Sequence, residues 1–137
     1  MNLCFCTDRF GRQIADLLKK PKDGYTSVEK DIYDCIRAKT YNELLDSHDM
    51  VRDEKNFRIV KMRLKNSAQR LSSRDGYRLI FLIRKDREEV VLLYAYPKQG
   101  NKGQMSVSRD DILTFLNDYI NHQKSGTLNS LNLETSS

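Results

Sequence analysis

The amino-acid sequence predicts one α+β domain with the element order β-α-α-β-β-β-α. Three observations lead to this prediction. Apolar residues at helical spacing occupy residues 10–36, runs of β-branched and aromatic residues follow between residues 57 and 96, and helical spacing returns after residue 108. We therefore expect an antiparallel sheet core with an N-terminal helical hairpin and a C-terminal helix.

A short strand and two helices are predicted in the N-terminal region. Residues 3–6 form an apolar run, and Thr7 offers N-cap chemistry for the first helix, which Pro21 ends. Thr26 and Glu29 have the spacing of a capping box at the start of the second helix. The stretch 40–56 is predicted to be a short helix or an irregular connection. The two helical stripes consist of Phe10, Ile14, Leu17 and Leu18, and of Val28, Ile32, Cys35 and Ile36.

Three consecutive strands are predicted next. Residues 57–64 follow a period of two, which places Lys61 and Arg63 on one face of the first strand. Residues 66–76 form a loop rich in serine and arginine. A β-hairpin closed by a charged turn follows, and its strands are residues 77–83 and 89–96.

The last predicted helix starts at a capping box. Ser108 and Asp111 have the required spacing, and an apolar stripe follows them. Beyond His122 the chain is rich in serine, threonine and asparagine. We therefore predict a domain over residues 1–122 and a flexible tail over residues 123–137.

Basic residues are concentrated in the predicted strands. The chain has 137 residues and a formal net charge of +5, and residues 57–105 contain 12 Lys and Arg against 4 Asp and Glu. Such a segregated block indicates a polyanion-binding protein, because phosphates that become neutralised release their condensed counterions. A solvated charged face is the alternative interpretation.

Several classes of protein are disfavoured by the motifs that the sequence lacks. It contains no GxGxxG, P-loop, HExxH or GxSxG pattern, which argues against the corresponding oxidoreductases, nucleoside triphosphatases, zincins and serine hydrolases. Cys4, Cys6 and Cys35 lack the further ligands of a zinc site, so we predict structural thiols, no metal and no cofactor. Without a long apolar run or a secretory signal, a soluble cytoplasmic protein with no membrane contact is expected.

The residue types in the basic block suit single-stranded RNA. Arginine can bind a phosphate through two hydrogen bonds, and aromatic rings stack on unpaired bases. Metal-free RNA cleavage also needs a base for the 2′-OH proton, cations for the charge that develops on phosphorus, and an acid for the leaving 5′-oxygen. Lys61 and Lys98 are the candidate bases, since neighbouring arginines lower a lysine pKa. A tyrosine or a second lysine would be the acid.

Other residues have competing interpretations. His48 and His122 lie outside the basic block and are expected at the surface. Arg78 lies in an apolar strand, where an unpaired charge is costly, so we expect it to face a ligand or a partner. Tyr94 and Tyr96 fit base stacking and core packing equally. Lys65, Arg70 and Lys102 could be solvated charges that discourage edge pairing of the sheet.

Three segments of the central region form a recognisable combination. They are Asp75-Gly76-Tyr77-Arg78-Leu79-Ile80-Phe81, then Val90-Val91-Leu92-Leu93-Tyr94-Ala95-Tyr96-Pro97-Lys98, then Met105-Ser106 before a helix. Together with the element order, they resemble the RelE/ParE superfamily of bacterial toxins over residues 57–119. The resemblance is closest to the RelE/HigB-like branch.

This resemblance implies the toxin of a type II toxin-antitoxin system. Such a toxin is a metal-independent endoribonuclease, or mRNA interferase, that inhibits translation and often acts on messages bound to the ribosome. Its implied partners are mRNA, the ribosome and a cognate antitoxin. A gyrase inhibitor of the ParE kind and a catalytically inactive RNA-binding or protein-binding relative remain open as alternatives.

The resemblance also implies roles for individual residues. The family's catalytic tyrosine near the last helix has no counterpart in residues 100–106, and the only tyrosine beyond them is Tyr119. The expected catalytic residues are Lys61, Arg63, Arg78, Tyr96 and Lys98. The expected RNA-binding residues are Lys65, Arg70, Arg74, Tyr94 and Lys102.

Overall fold

A computed structural model describes residues 3–46 and 49–133 of the chain. These residues form a mixed α+β fold with six strands and four helices. The strands are β1 (Leu3–Cys6), β2 (Asp49–Asp53), β3 (Phe57–Leu64), β4 (Tyr77–Arg84), β5 (Glu89–Pro97) and β6 (Asn129–Leu131). The helices are α1 (Asp8–Leu18), α2 (Val28–Arg37), α3 (Tyr41–Asp46) and α4 (Arg109–Ser125), and a short 3₁₀ turn covers Pro21–Asp23.

The strands form one sheet in the order β2-β3-β4-β5-β1-β6. The three predicted consecutive strands are confirmed as the antiparallel neighbours β3, β4 and β5. The expectation of an antiparallel sheet is wrong for β1, which pairs with β5 in parallel, with Leu3 opposite Glu89. Parallel pairing is possible because helices and strands separate β1 from β5 in the chain, so no tight turn constrains their direction.

Helices cover both faces of the sheet. One core joins residues of α1, α2 and α3 to one face, and a second core joins residues of α4 to the other. Every residue of β4 is buried. The central strand therefore lacks the alternation of a half-exposed strand, as expected for a strand covered on both sides.

Helix caps are only partly as predicted. Thr7 caps α1 by accepting a hydrogen bond from the amide of Phe10, and Ser108 forms the predicted capping box with Asp111. The predicted box at Thr26 is wrong, because Ser27 occupies the N-cap position of α2 and its side chain makes no capping hydrogen bond. The Ser27 hydroxyl instead donates to Asn66 Oδ1 at 3.1 Å, which links α2 to the loop between β3 and β4.

The structure adds elements that the sequence pattern did not predict. The stretch 40–56 contains α3, in agreement with one of the two alternatives predicted there, and also the unpredicted β2, which pairs with β3. The predicted flexible tail contains the last turn of α4 and then β6, which pairs antiparallel with β1. Leu133 is only 2% exposed in the α1–α2 core. For residues 123–133 the tail prediction is therefore corrected, because pairing and burial order a segment of polar composition; residues 134–137 lie outside the described residues.

We expect Leu133→Ala to lower the free energy of unfolding by about 3 kcal/mol, because it removes buried methyl groups and leaves a cavity. Urea denaturation measures this change. Leu3→Ala is the control, since Leu3 is 64% exposed and its truncation costs about 0.5 kcal/mol or less. Equal effects of the two substitutions would contradict the burial of Leu133.

A second prediction concerns the buried thiols of β1. Burial raises the pKa of Cys4 to about 12 and that of Cys6 to about 11, from an ordinary value of 9.0. As pH rises, the unfolded chain releases these protons before the folded chain does. We therefore expect the free energy of unfolding to fall as pH rises from 9.0 towards about 11.

Urea denaturation at neutral and alkaline pH tests this prediction. Because tyrosines also titrate in this range, the informative quantity is the difference from a Cys4→Ala, Cys6→Ala variant. The alkaline loss of stability should be smaller in that variant. The same loss in both proteins would show that the thiols contribute nothing.

Candidate nucleic-acid interface

Side chains from three adjacent strands meet on the face of the sheet that α4 covers. Arg63 lies opposite Arg78, and Arg78 lies opposite Tyr96, so the three form a row across β3, β4 and β5. Lys61 and Tyr94 lie in the neighbouring row, on either side of Ile80. We call the set of Lys61, Arg63, Arg78, Tyr94 and Tyr96 the basic row pair.

A groove lies between the outer strands and the start of α4. It has a volume of about 490 Å³ and joins three basic residues to apolar ones. Lys61 and Arg109 have no side-chain hydrogen bond or ion pair with any residue in 3–46 or 49–133, whereas Arg52 pairs with Glu54 at 3.0 Å. The lining residues are Val51, Arg52, Lys61, Val107, Ser108, Arg109, Ile112 and Leu113.

Sequence reasoning missed Arg52 and Arg109 as members of this groove. Both lie outside the basic block in the chain, and the structure brings them to Lys61 through the β2–β3 pairing and the placement of α4. The position of Arg109 directly after the Ser108 cap was the available signal, because it starts the helix that packs on this face of the sheet.

Arg78 is held by the protein's own backbone. It is 5% exposed, and its guanidinium donates to the carbonyl oxygens of Ser73 at 3.0 Å, Arg74 at 2.8 Å and Tyr77 at 3.2 Å. Burial, with a smaller effect of the nearby Arg63 charge, lowers the pKa of Arg78. The expectation that this charge faces a ligand or a partner is therefore revised, since loop carbonyls satisfy it. Three of its five N–H groups are used in this way.

The two tyrosines of the basic row pair are packed rather than free. Tyr94 stacks on Phe115 with ring centroids 4.7 Å apart, and its hydroxyl accepts a hydrogen bond from Gln104 at 2.9 Å. Tyr96 is 1% exposed, and burial raises its pKa. A tyrosine that stays protonated can donate a proton but cannot act as a base at neutral pH.

Two lysines after β5 hold the following loop in place. Lys98 donates from Nζ to the carbonyl oxygen of Met105 at 2.6 Å, across the loop that leads to α4. Lys102 reaches α1, where Nζ lies 2.9 Å from a carboxylate oxygen of Asp16 and 2.8 Å from its carbonyl oxygen. Lys98 keeps donors for a ligand because an ammonium has three, whereas the charge of Lys102 is already paired.

The remaining predicted RNA-binding residues lie around the β3–β4 loop. Lys65, Arg70 and Arg74 are exposed, and their side chains form no hydrogen bond or ion pair in the part of the chain that the structure describes. Lys65 lines a second cavity together with Arg63.

The loop approaches β3 so closely that a Cβ on Gly76 would lie 2.2 Å from the carbonyl oxygen of Leu64, which requires glycine there.

His122 on α4 makes contacts with the start of α1 and with the segment after α4. His122 accepts a hydrogen bond from the Asp8 amide at 3.2 Å and lies 2.8 Å from the Thr127 hydroxyl. His48 lies outside the described residues. Within residues 3–46 and 49–133, no group of three or more His, Cys, Asp and Glu side chains is placed to hold a metal ion. No helix in these ranges is long and apolar enough to cross a membrane.

The carbonyl contacts of Arg78 lead to a stability prediction. Arg78→Met should lower the free energy of unfolding by about 2 kcal/mol, because the charged hydrogen bonds to the loop are lost. Hydrogen exchange of the amides in residues 66–76 should become faster. Arg74→Ala is the control, since only the backbone oxygen of Arg74 takes part. Unchanged stability and exchange in Arg78→Met would show that these bonds do not hold the loop.

Comparisons with known proteins add no relative. No protein-family model, no curated protein and no solved structure matches this chain.

Proposed function

We propose that the chain is an RNA-cleaving toxin of the RelE/ParE kind, which binds mRNA and is neutralised by a cognate antitoxin. One observation carries the proposal: three neighbouring strands bring Lys61, Arg63, Arg78 and Tyr96 to one face. Two of these cations, Lys61 and Arg63, have no side-chain partner among the described residues. Cations without protein partners on one face of a sheet suit the phosphates of single-stranded RNA.

The fold is compatible with this proposal. The predicted order β-α-α-β-β-β-α is contained in the described order when α3, β2 and β6 are treated as additions. In that alignment, β3, β4 and β5 supply the proposed site, and α4 closes one side of it. The three additions lie at the two edges of the sheet or beside it, so they leave the central strands unchanged.

The proposed reaction is an internal displacement at phosphorus. The 2′-oxygen forms a bond to the adjacent phosphorus, the bond from phosphorus to the 5′-oxygen breaks, and a 2′,3′-cyclic phosphate and a 5′-hydroxyl result. Lys61 in its neutral form accepts the 2′-OH proton, and Arg63 stabilises the negative charge on the phosphate oxygens. Tyr96 or Lys98 supplies the proton that the leaving oxygen takes.

A non-catalytic RNA-binding relative is the second candidate. This candidate is favoured because three proposed catalytic residues already have structural roles. Arg78 and Lys98 donate to backbone carbonyls, and Tyr96 is almost fully buried. In this case Lys61 and Arg63 would bind phosphates without any proton transfer.

We expect Lys61→Ala, Arg63→Ala to reduce RNA cleavage by purified protein about 100-fold or more, because a general base and a phosphate-binding cation are both lost. Lys19→Ala, Lys20→Ala is the matched control, since it removes the same charge from exposed positions at the end of α1. Induced expression followed by mapping of mRNA ends and of gyrase-linked DNA breaks extends the test to cells.

The outcomes separate the candidates. New mRNA ends that need Lys61 and Arg63 support the proposed ribonuclease. RNA binding with intact mRNA and normal growth supports the non-catalytic relative. Growth arrest with intact mRNA and gyrase-linked breaks would replace the proposal with a gyrase inhibitor.

A further inference from the structure

A second cavity opens at the end of β3, next to α2. It has a volume of about 440 Å³. Arg63 and Lys65 line it from the end of β3, and Asp31 and Asp34 line it from α2. We call it the edge cavity. It adjoins the proposed cleavage site, because Arg63 belongs both to the basic row pair and to this cavity.

Asp31 is the unusual residue of the edge cavity. It is 3% exposed, and its Oδ2 accepts a hydrogen bond from the amide of Ser67 at 2.8 Å. Its Oδ1 is buried and has no hydrogen-bond partner among the described residues. Buried polar atoms are nearly always hydrogen-bonded, and a carboxylate oxygen is an especially costly exception. The Oδ1 atom is therefore a buried acceptor that no described residue satisfies.

The charges around Asp31 restrict what that donor can belong to. Asp34 already forms ion pairs with Lys30 and Arg37, so it adds little free negative charge. The side chains of Arg63 and Lys65 form no hydrogen bond or ion pair in the described part of the chain. A simple cation would be repelled by these two residues, and a simple anion would be repelled by Asp31. A ligand that carries both an N–H donor and negative charge suits Asp31 and the two basic residues together.

A nucleotide with an amino group on its base is such a ligand. We propose that the edge cavity holds a nucleobase whose exocyclic amino group donates to Asp31 Oδ1, while Arg63 and Lys65 bind the neighbouring phosphates. The inference rests on the proposed RNA-binding function and adds base selection to it. Carboxylates recognise the cytosine amino group in this way in other nucleic-acid interfaces.

The proposal predicts which bases are accepted. Cytosine and adenine present an amino group where uracil and hypoxanthine present a carbonyl oxygen. A carbonyl oxygen facing Asp31 Oδ1 would leave the buried acceptor without a donor and add repulsion between two oxygens. A site built to hydrogen-bond a donor rejects an analogue that lacks it.

The test compares oligonucleotides that differ only in this group. Short 2′-fluoro oligocytidylate and oligouridylate lack the attacking hydroxyl, so they report binding without cleavage. We expect the wild-type protein to bind oligocytidylate about tenfold more tightly, the value of one hydrogen bond to a charged acceptor. The same preference is expected for adenosine over inosine at a single position.

Asp31→Asn tests the residue itself. Its amide can still accept from Ser67, and its NH₂ group can donate to a carbonyl oxygen, so the preference should vanish or reverse. Asp34→Asn is the control, because Asp34 lines the same cavity but is already paired; it should keep the preference. Thermal unfolding checks that both variants are folded, and the wild-type comparison of bases needs no variant.

Three outcomes would overturn part or all of this inference. Equal wild-type affinity for the paired oligonucleotides overturns base selection, even if the protein cleaves RNA. A preference that survives Asp31→Asn overturns the role of Asp31 in base selection. Failure to bind any of the oligonucleotides overturns this inference and the proposed RNA-binding function together.

Discussion

The central strand β4 is the constraint on which the rest of the structure depends. Each of its residues is buried, since β3 and β5 pair with its two edges and helices cover its two faces. A polar group on such a strand must find its partner inside the protein. The strand therefore decides both where the core lies and how the charged residues at its ends are bound.

Arg78 and Arg84 show this constraint at the two ends of β4. Arg78 donates to three carbonyl oxygens of the preceding loop and of its own strand. Arg84 lies 3.4 Å from a carboxylate oxygen of Glu89 on β5 and 5.9 Å from the ring centroid of Tyr119 on α4. Both sets of contacts join β4 to neighbouring segments. They favour one pairing register, because a one-residue slip would turn each guanidinium to the opposite face.

The same arrangement divides the basic block into bound and available cations. Arg78, Lys98 and Lys102 are engaged with loops or with α1, so their charges contribute to the architecture. Lys61 and Arg63 lie on β3, farther from the buried centre, and have no such contacts among the described residues. The number of basic residues in the block therefore overstates how much positively charged surface is available to bind a polyanion. The surroundings of each cation decide whether its charge stabilises the fold or is free to contact another molecule.

Local pattern was enough to predict much of this protein. Apolar spacing predicted α1, α2 and α4, and cap residues predicted the starts of α1 and α4. The period of two placed Lys61 and Arg63 on one face. These features depend on residues near each other in the chain. Only the tertiary structure determined the parallel pairing of β1, the strands β2 and β6, the carbonyl partners of Arg78 and the unpartnered Oδ1 of Asp31. These depend on contacts between distant segments, whose energies leave no periodic signal in the sequence.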